Sequence, residues 1–200
     1  MNFSFFLIFL FFQNSIYSQD IGLRELVFVE NKVFKVWYNE IYEQPIKLKY
    51  KSIDNVKKVD RKSMDFYKDD SIHTSDDKDY YKNIWDKGHL APAASFSDTK
   101  ENLKITFSYL NCSLQNQYLN RGQWRLLEAQ ERVWDDNENL DVTVELIFEE
   151  KHIILPTGAH VPTSMVKHIF FEKQRIWKCF EFKNMKLQKK WNNYKVNHSH

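Results

Sequence analysis

"WDKGHLAPAASF", Trp85 to Phe96, decides how the rest of this chain is read. The whole sequence holds four glycines and four prolines, yet this stretch places Gly88 and Pro92 around His89. An acid, a base and a glycine lead into the histidine, and the composition fits either a turn that happens to contain a histidine or one built to aim it. A histidine with an ordinary pKa of ~6.5 is a natural general base near neutral pH. On its own, a histidine after a glycine is more often structural.

The flanking segments organise around that turn. "DFYKDDSIHTSDDKDYYKN" (65–83) is polar, charged and without period, so it reads as a long surface loop of the kind that carries function. "NKVFKVWYNEIYEQPIKLKY" (31–50) reads as two strands, with Pro45 at the break or at an edge. Downstream, "ITFSYLNCSLQ" (105–115) reads as a short extended piece. "NQYLNRGQWRLLEAQERVW" (116–134) carries Leu119, Trp124, Leu127 and Val133 at helical spacing. Gly122 inside it weakens a helix by ~1 kcal/mol relative to alanine and asks for a packing reason. "LDVTVELIF" (140–148) alternates as a half-buried strand. "HIILPTG" (152–158) and "KHIFFEKQRIWKCFEF" (167–182) read as further strands, the latter a hairpin turning at 172–174. Without repeats or linker, the pattern is one α+β domain.

Composition narrows the class. At 42% hydrophobic and 28% charged residues the chain is globular rather than disordered. A net charge of +2 excludes a chain that is basic throughout. Two basic stretches stand out: Lys47, Lys49, Lys51, Lys57, Lys58, Arg61 and Lys62, then Lys183, Lys186, Lys189, Lys190 and Lys195. Asp69, Asp70, Asp76, Asp77 and Asp79 gather between them. Such runs are usually solvated faces.

The N-terminus opens on an apolar run, Phe3 to Phe12, and then turns polar. That run is shorter than the ~20 residues a membrane span needs and fits a signal-peptide core of ~7–15 residues, although no lysine or arginine precedes it. The expectation is a signal peptide over 1–18 and one domain over 19–200, secreted or periplasmic, with no stable membrane association after cleavage. An anchor that stays attached is the alternative. The two cysteines, Cys112 and Cys179, are too far apart for a Cys-x-x-Cys motif. Export permits a bridge between them; two buried small hydrophobes are the other reading.

Two segments belong together: "DKGHLAPA" (86–93) and "NCSLQNQYLNRGQWRLLE" (111–128). They resemble the signature of the DNA/RNA non-specific endonuclease family, the ββα-metal or His-Me finger nucleases. Asp86, Gly88, His89, Pro92 and Ala93 match its first motif. Asn111, Gln115, Asn120, Gly122, Trp124, Leu127 and Glu128 match its second. Arg61 stands where the family has an upstream arginine, and "TGAHVPTSMVK" (157–167) resembles a later Gly-x-x-x-Pro…Lys segment. The chain departs from the pattern at Lys87, where arginine is usual, and at Leu114, where proline precedes the glutamine. It also lacks the closing Ile-Glu-x-x-Thr-Gly segment after Val196.

The resemblance implies a ββα-metal finger embedded in a mixed, mainly antiparallel sheet. It implies an Mg²⁺-dependent hydrolase, with Mn²⁺ a possible substitute, cutting DNA and RNA without sequence preference and leaving 5′-phosphates. His89 would activate water and Asn120 would hold the one metal ion. Glu128 would hold the ion's water shell, unless it is an exposed helical glutamate. Arg61 and Lys87 would contact the scissile phosphate. Asn111 and Gln115 would serve substrate binding by hydrogen-bonding the loop around the site. Asp86 would brace the turn, and the basic stretches would track phosphate backbones. The competing reading is a secreted nucleic-acid-binding protein with the same fold and no turnover. Oligomeric state stays open.

Overall fold

The computed structural model of the chain describes residues 26–53, 59–62 and 64–197. The expected signal segment lies outside them. The largest element is a seven-stranded sheet in the order β1-β2-β3-β6-β7-β8-β9. Its strands are β1 Leu26–Glu30, β2 Lys35–Asn39, β3 Gln44–Lys51, β6 Leu140–Ile147, β7 Ser164–Phe171, β8 Ile176–Lys183 and β9 Lys195–Val196. Every pairing in it is antiparallel. Two hairpin stacks, β1-β2-β3 and β6-β7-β8, meet where β3 pairs with β6.

Between β3 and β6 the chain leaves the sheet and builds the rest of the domain. A separate two-stranded sheet joins β4, Trp85–His89, to β5, Cys112–Asn116, antiparallel. Helix α1, Lys100–Thr106, lies between them, capped at its start by the Thr99 side chain. A helical run follows β5: an α turn Gln117–Leu119, a π segment Asn120–Trp124, and α2, Arg125–Asp135. Two strands and a helix in succession are the expected ββα unit.

Alternation explains the sheet. Leu140, Val142, Val144 and Leu146 are buried on one face of β6, with Leu48 and Tyr50 beside them on β3. Against this face lies the helical run, with Leu119, Trp124 and Leu127 buried in the same cluster. Trp124 meets Phe182 edge-on at 5.9 Å; burying a side chain of this size contributes roughly 3 kcal/mol.

Several expectations need correction. "HIILPTG" is a loop closed by a single bridge, Ile154 to His160, and no strand. Residues 105–111 are the end of α1 and a 3₁₀ turn, so the extended piece begins only at Cys112. Val133 is 55% exposed, and Glu131 takes the buried place on α2. Pro45 lies inside β3, opposite Tyr38 at a bulge that spares the missing N–H. Both cysteines are buried and unbridged, which agrees with the reading of two buried small hydrophobes. Two lysines of the first basic stretch are spent on ion pairs at the sheet, Lys47 with Glu145 at 2.6 Å and Lys51 with Glu172 at 2.6 Å.

Candidate active site

His89 ends a strand, not a turn: it closes β4 opposite Cys112. Its ring stands between Phe66 and Phe107, each 4.9 Å away centroid to centroid. The Nε2 atom is shielded and has no hydrogen-bond partner. Burial, with the Arg61 charge adding to it, pushes the imidazole down to about 4. At neutral pH the ring is therefore uncharged, with a nitrogen open to a proton.

Gly88 is needed for space. A β-carbon there would lie 2.3 Å from Gln115 Oε1 and 2.6 Å from Gln115 Cβ. The glutamine side chain packs over the glycine, with Nε2 3.2 Å from Met165 Sδ. Asn111 holds the residues after His89: the Ala91 N–H donates to its Oδ1 at 2.7 Å, and its Nδ2 donates to the Ala91 and Thr106 carbonyls, each at 2.9 Å. Both Asn111 and Gln115 have no exposed surface. Asn111 thus hydrogen-bonds the loop around the site, as expected, and both side chains brace the strand pair and loop from within.

The π segment shapes the other wall. Gly122 leaves the helical well, at φ −106° and ψ −109°, and the helix kinks there. A β-carbon at Gly122 would meet nothing within 4 Å, so backbone geometry and not packing explains the residue. Just before the kink, Asn120 Nδ2 donates to Asp86 Oδ2 at 2.9 Å, which leaves Oδ1 as the atom offered to the cleft. The same carboxylate takes Arg121 at 2.8 and 2.6 Å. Asp86 thus orients the Asn120 amide as well as pairing with Arg121.

These pieces meet in a cleft of about 600 Å³ that Arg61, Lys87, His89, Asn120 and Glu128 all line. Arg121, Arg125 and Arg132 complete it, spaced with Glu128 at four, three and four residues along one helix face. That spacing is visible in the sequence, where the apolar positions of the same helix give the stronger signal. Among the described residues no lysine of the two basic stretches lines this cleft, whose charge comes from Arg61, Lys87 and the arginines of the helical run. A larger cavity of about 850 Å³ opens around Phe28, Trp37 and Trp177, away from every motif residue.

Lys87 is not a bare charge. Its ammonium binds Asp77, which also accepts from the Tyr109 hydroxyl at 2.6 Å, and it lies 5.2 Å from the Phe66 ring centre. Glu128 is pushed up to about 7 by burial, opposed by the Lys167 charge and reinforced by Glu131. Among the described residues no three His, Cys, Asp or Glu side chains form a metal-holding group. One amide oxygen and one carboxylate remain in the cleft, a set that fits a hard cation keeping most of its own water.

Asp86→Ala is expected to lose the acceptor that orients Asn120 and to weaken divalent-cation binding by about 10–100-fold. Calorimetric titration with Mn²⁺ checks this; unchanged affinity in a folded variant would remove Asp86 from that role.

Comparison with known proteins agrees with this geometry. The family model described as DNA/RNA non-specific endonuclease matches residues 28–200. Mitochondrial endonuclease G of Bos taurus is 36% identical over 75 residues, 36% of this chain and 25% of that protein. The Homo sapiens protein is 36% identical over 76 residues, covering 36% and 26%. Mitochondrial nuclease EXOG of Danio rerio is 34% identical over 73 residues, covering 35% and 21%. The matches thus span about a quarter of the length of the curated relatives. A crystal structure of the EndoG/EndoGI complex superposes with a TM-score of 0.77 at 22% identity, covering 85% of this chain and 80% of that one, which establishes the fold.

Proposed function

The chain belongs to the DNA/RNA non-specific endonuclease family, and from that premise we propose that it is an exported, Mg²⁺-dependent endonuclease hydrolysing phosphodiester bonds in DNA and RNA. The observation that carries this reading is the unpartnered, uncharged His89 Nε2 in one cleft with Asn120, Glu128 and a row of arginines. A base free to take a proton, an oxygen donor for a cation and positive charge for phosphate are what the reaction asks for.

His89 Nε2 takes a proton from water, whose oxygen attacks phosphorus in line as the bond to the 3′-oxygen breaks. The 5′-phosphate stays on the product. Arg61, Arg125 and Arg132 hold the substrate backbone, and bidentate guanidinium contacts suit phosphate oxygens without reading bases. Asn120 and Glu128 would hold a divalent cation, which supplies charge neutralisation at the phosphate and the departing oxygen. Export rests on the apolar run at Phe3 to Phe12.

The tie between Lys87 and Asp77 favours a second reading, a nucleic-acid-binding protein without turnover. Plasmid nicking by the mature protein separates the two. Cutting with Mg²⁺ that stops in excess EDTA is expected. Binding without cutting under any divalent ion would establish the second reading, and full activity in EDTA would sink the mechanism.

A further inference from the structure

Lys167 has no exposed surface. It comes from β7, whose other inward positions are Met165, Ile169 and Phe171, so a charge stands in an apolar layer. Its ammonium donates to Glu131 Oε1 at 2.8 Å and to the Tyr50 hydroxyl oxygen at 3.4 Å. The Tyr50 hydroxyl in turn donates to Glu131 Oε2 at 2.7 Å. The ammonium also lies 4.4 Å above the Trp124 ring.

Removing two charges from water commonly costs more than their attraction returns, and apolar side chains of similar volume hold a fold as well or better. Stability therefore does not account for the pair. Its placement does. Trp124 closes the π segment and Glu131 lies on α2, so the ammonium contacts the helical run twice beyond the kink at Gly122. An interrupted helix no longer fixes the angle between residues on either side of the break. Asn120 stands before Gly122 and Glu128 after it, yet both must face one cleft. Apolar packing is non-directional, whereas a hydrogen-bonded ion pair sets a rotation.

We propose that Lys167 and Glu131 are positioning residues, a buried clamp from the sheet that fixes the rotation of α2 so that Glu128 faces the same cation as Asn120. This deepens the nuclease reading and rests on it.

The test uses the full mature chain with Mg²⁺ and a plasmid substrate, beside Mn²⁺ titration of the same samples. Lys167→Met/Glu131→Leu, made in a Tyr50→Phe background so that no buried hydroxyl is left without a partner, should unfold no earlier than wild type, turn over about 10–100-fold more slowly, keep its KM for DNA and bind Mn²⁺ more weakly. Glu131→Gln, whose Oε1 can still accept from Lys167 while its Nε2 donates to the Tyr50 hydroxyl oxygen, should stay within about threefold of wild type. A double variant within that range overturns the clamp. So does a double variant that does not fold, because stability would then be the pair's role. A Glu131→Gln loss as large as that of the double variant also overturns it, since charge and not position would be at work. Failure of the nuclease reading looks different: wild type would not cut, while the Mn²⁺ affinities would still report on the clamp.

Discussion

His89→Ala should slow cleavage about 10²–10⁴-fold while leaving nucleic-acid affinity near wild type, because the imidazole acts on water and not on the substrate. Single-turnover cleavage beside a binding isotherm checks both halves; turnover within a few fold would rule His89 out as the base. The pH profile adds a sharper demand. His89 lies at about 4 and Glu128 at about 7. Loss of rate as pH falls through 7 therefore belongs to Glu128 gaining a proton, and the limb of His89 lies far below. Glu128→Gln should flatten the limb near 7. Stability follows His89 in the opposite arena: below its ordinary 6.5 the unfolded chain takes up a proton that the folded site refuses. Wild type thus loses stability between about 6.5 and 4, and His89→Ala should lose less.

Asn120→Ala is expected to be comparably damaging, on the order of 10²–10³-fold in turnover, because the cleft has no substitute for its oxygen. Its loss should be partly recovered at high Mg²⁺, which distinguishes a weakened cation site from a misfolded one. Recovery is read from the Mg²⁺ dependence of rate at saturating DNA. An unchanged half-saturating Mg²⁺ concentration with depressed turnover would contradict a ligand role. The fold should be indifferent, since the amide's one hydrogen bond in the cleft goes to Asp86, which keeps Arg121.

The class of fold and much of the cleft were legible in the chain because motif spacing encodes them. His89, Asn120, Glu128 and Arg61 come together as the paired motifs imply. What escaped is what spacing does not encode. Asn111 and Gln115 look like polar site residues in one dimension, and only burial assigns their hydrogen bonds inward. Lys167 looks like one more cation of a strand until the sheet turns it toward Trp124. Gly122 is conspicuous in sequence, but a kink and a packing gap leave the same letter. The arginines of α2 were readable at helical spacing and were masked by the stronger apolar signal. β1 and α1 carry weaker patterns, so their existence came only with the fold.

The pairing of β3 with β6 has a consequence for the order of assembly. Both hairpin stacks make contacts close in sequence and can form early, whereas joining them closes the long excursion from 52 to 139. Everything in the cleft belongs to that excursion. The clamp on α2, however, comes from Tyr50 before it and Lys167 after it. A chain still emerging from synthesis, with β7 not yet made, holds His89 and Asn120 without the strand that seats them. With the proposed clamp, the facing of Glu128 and Asn120 is then a property of the finished sheet and arrives last.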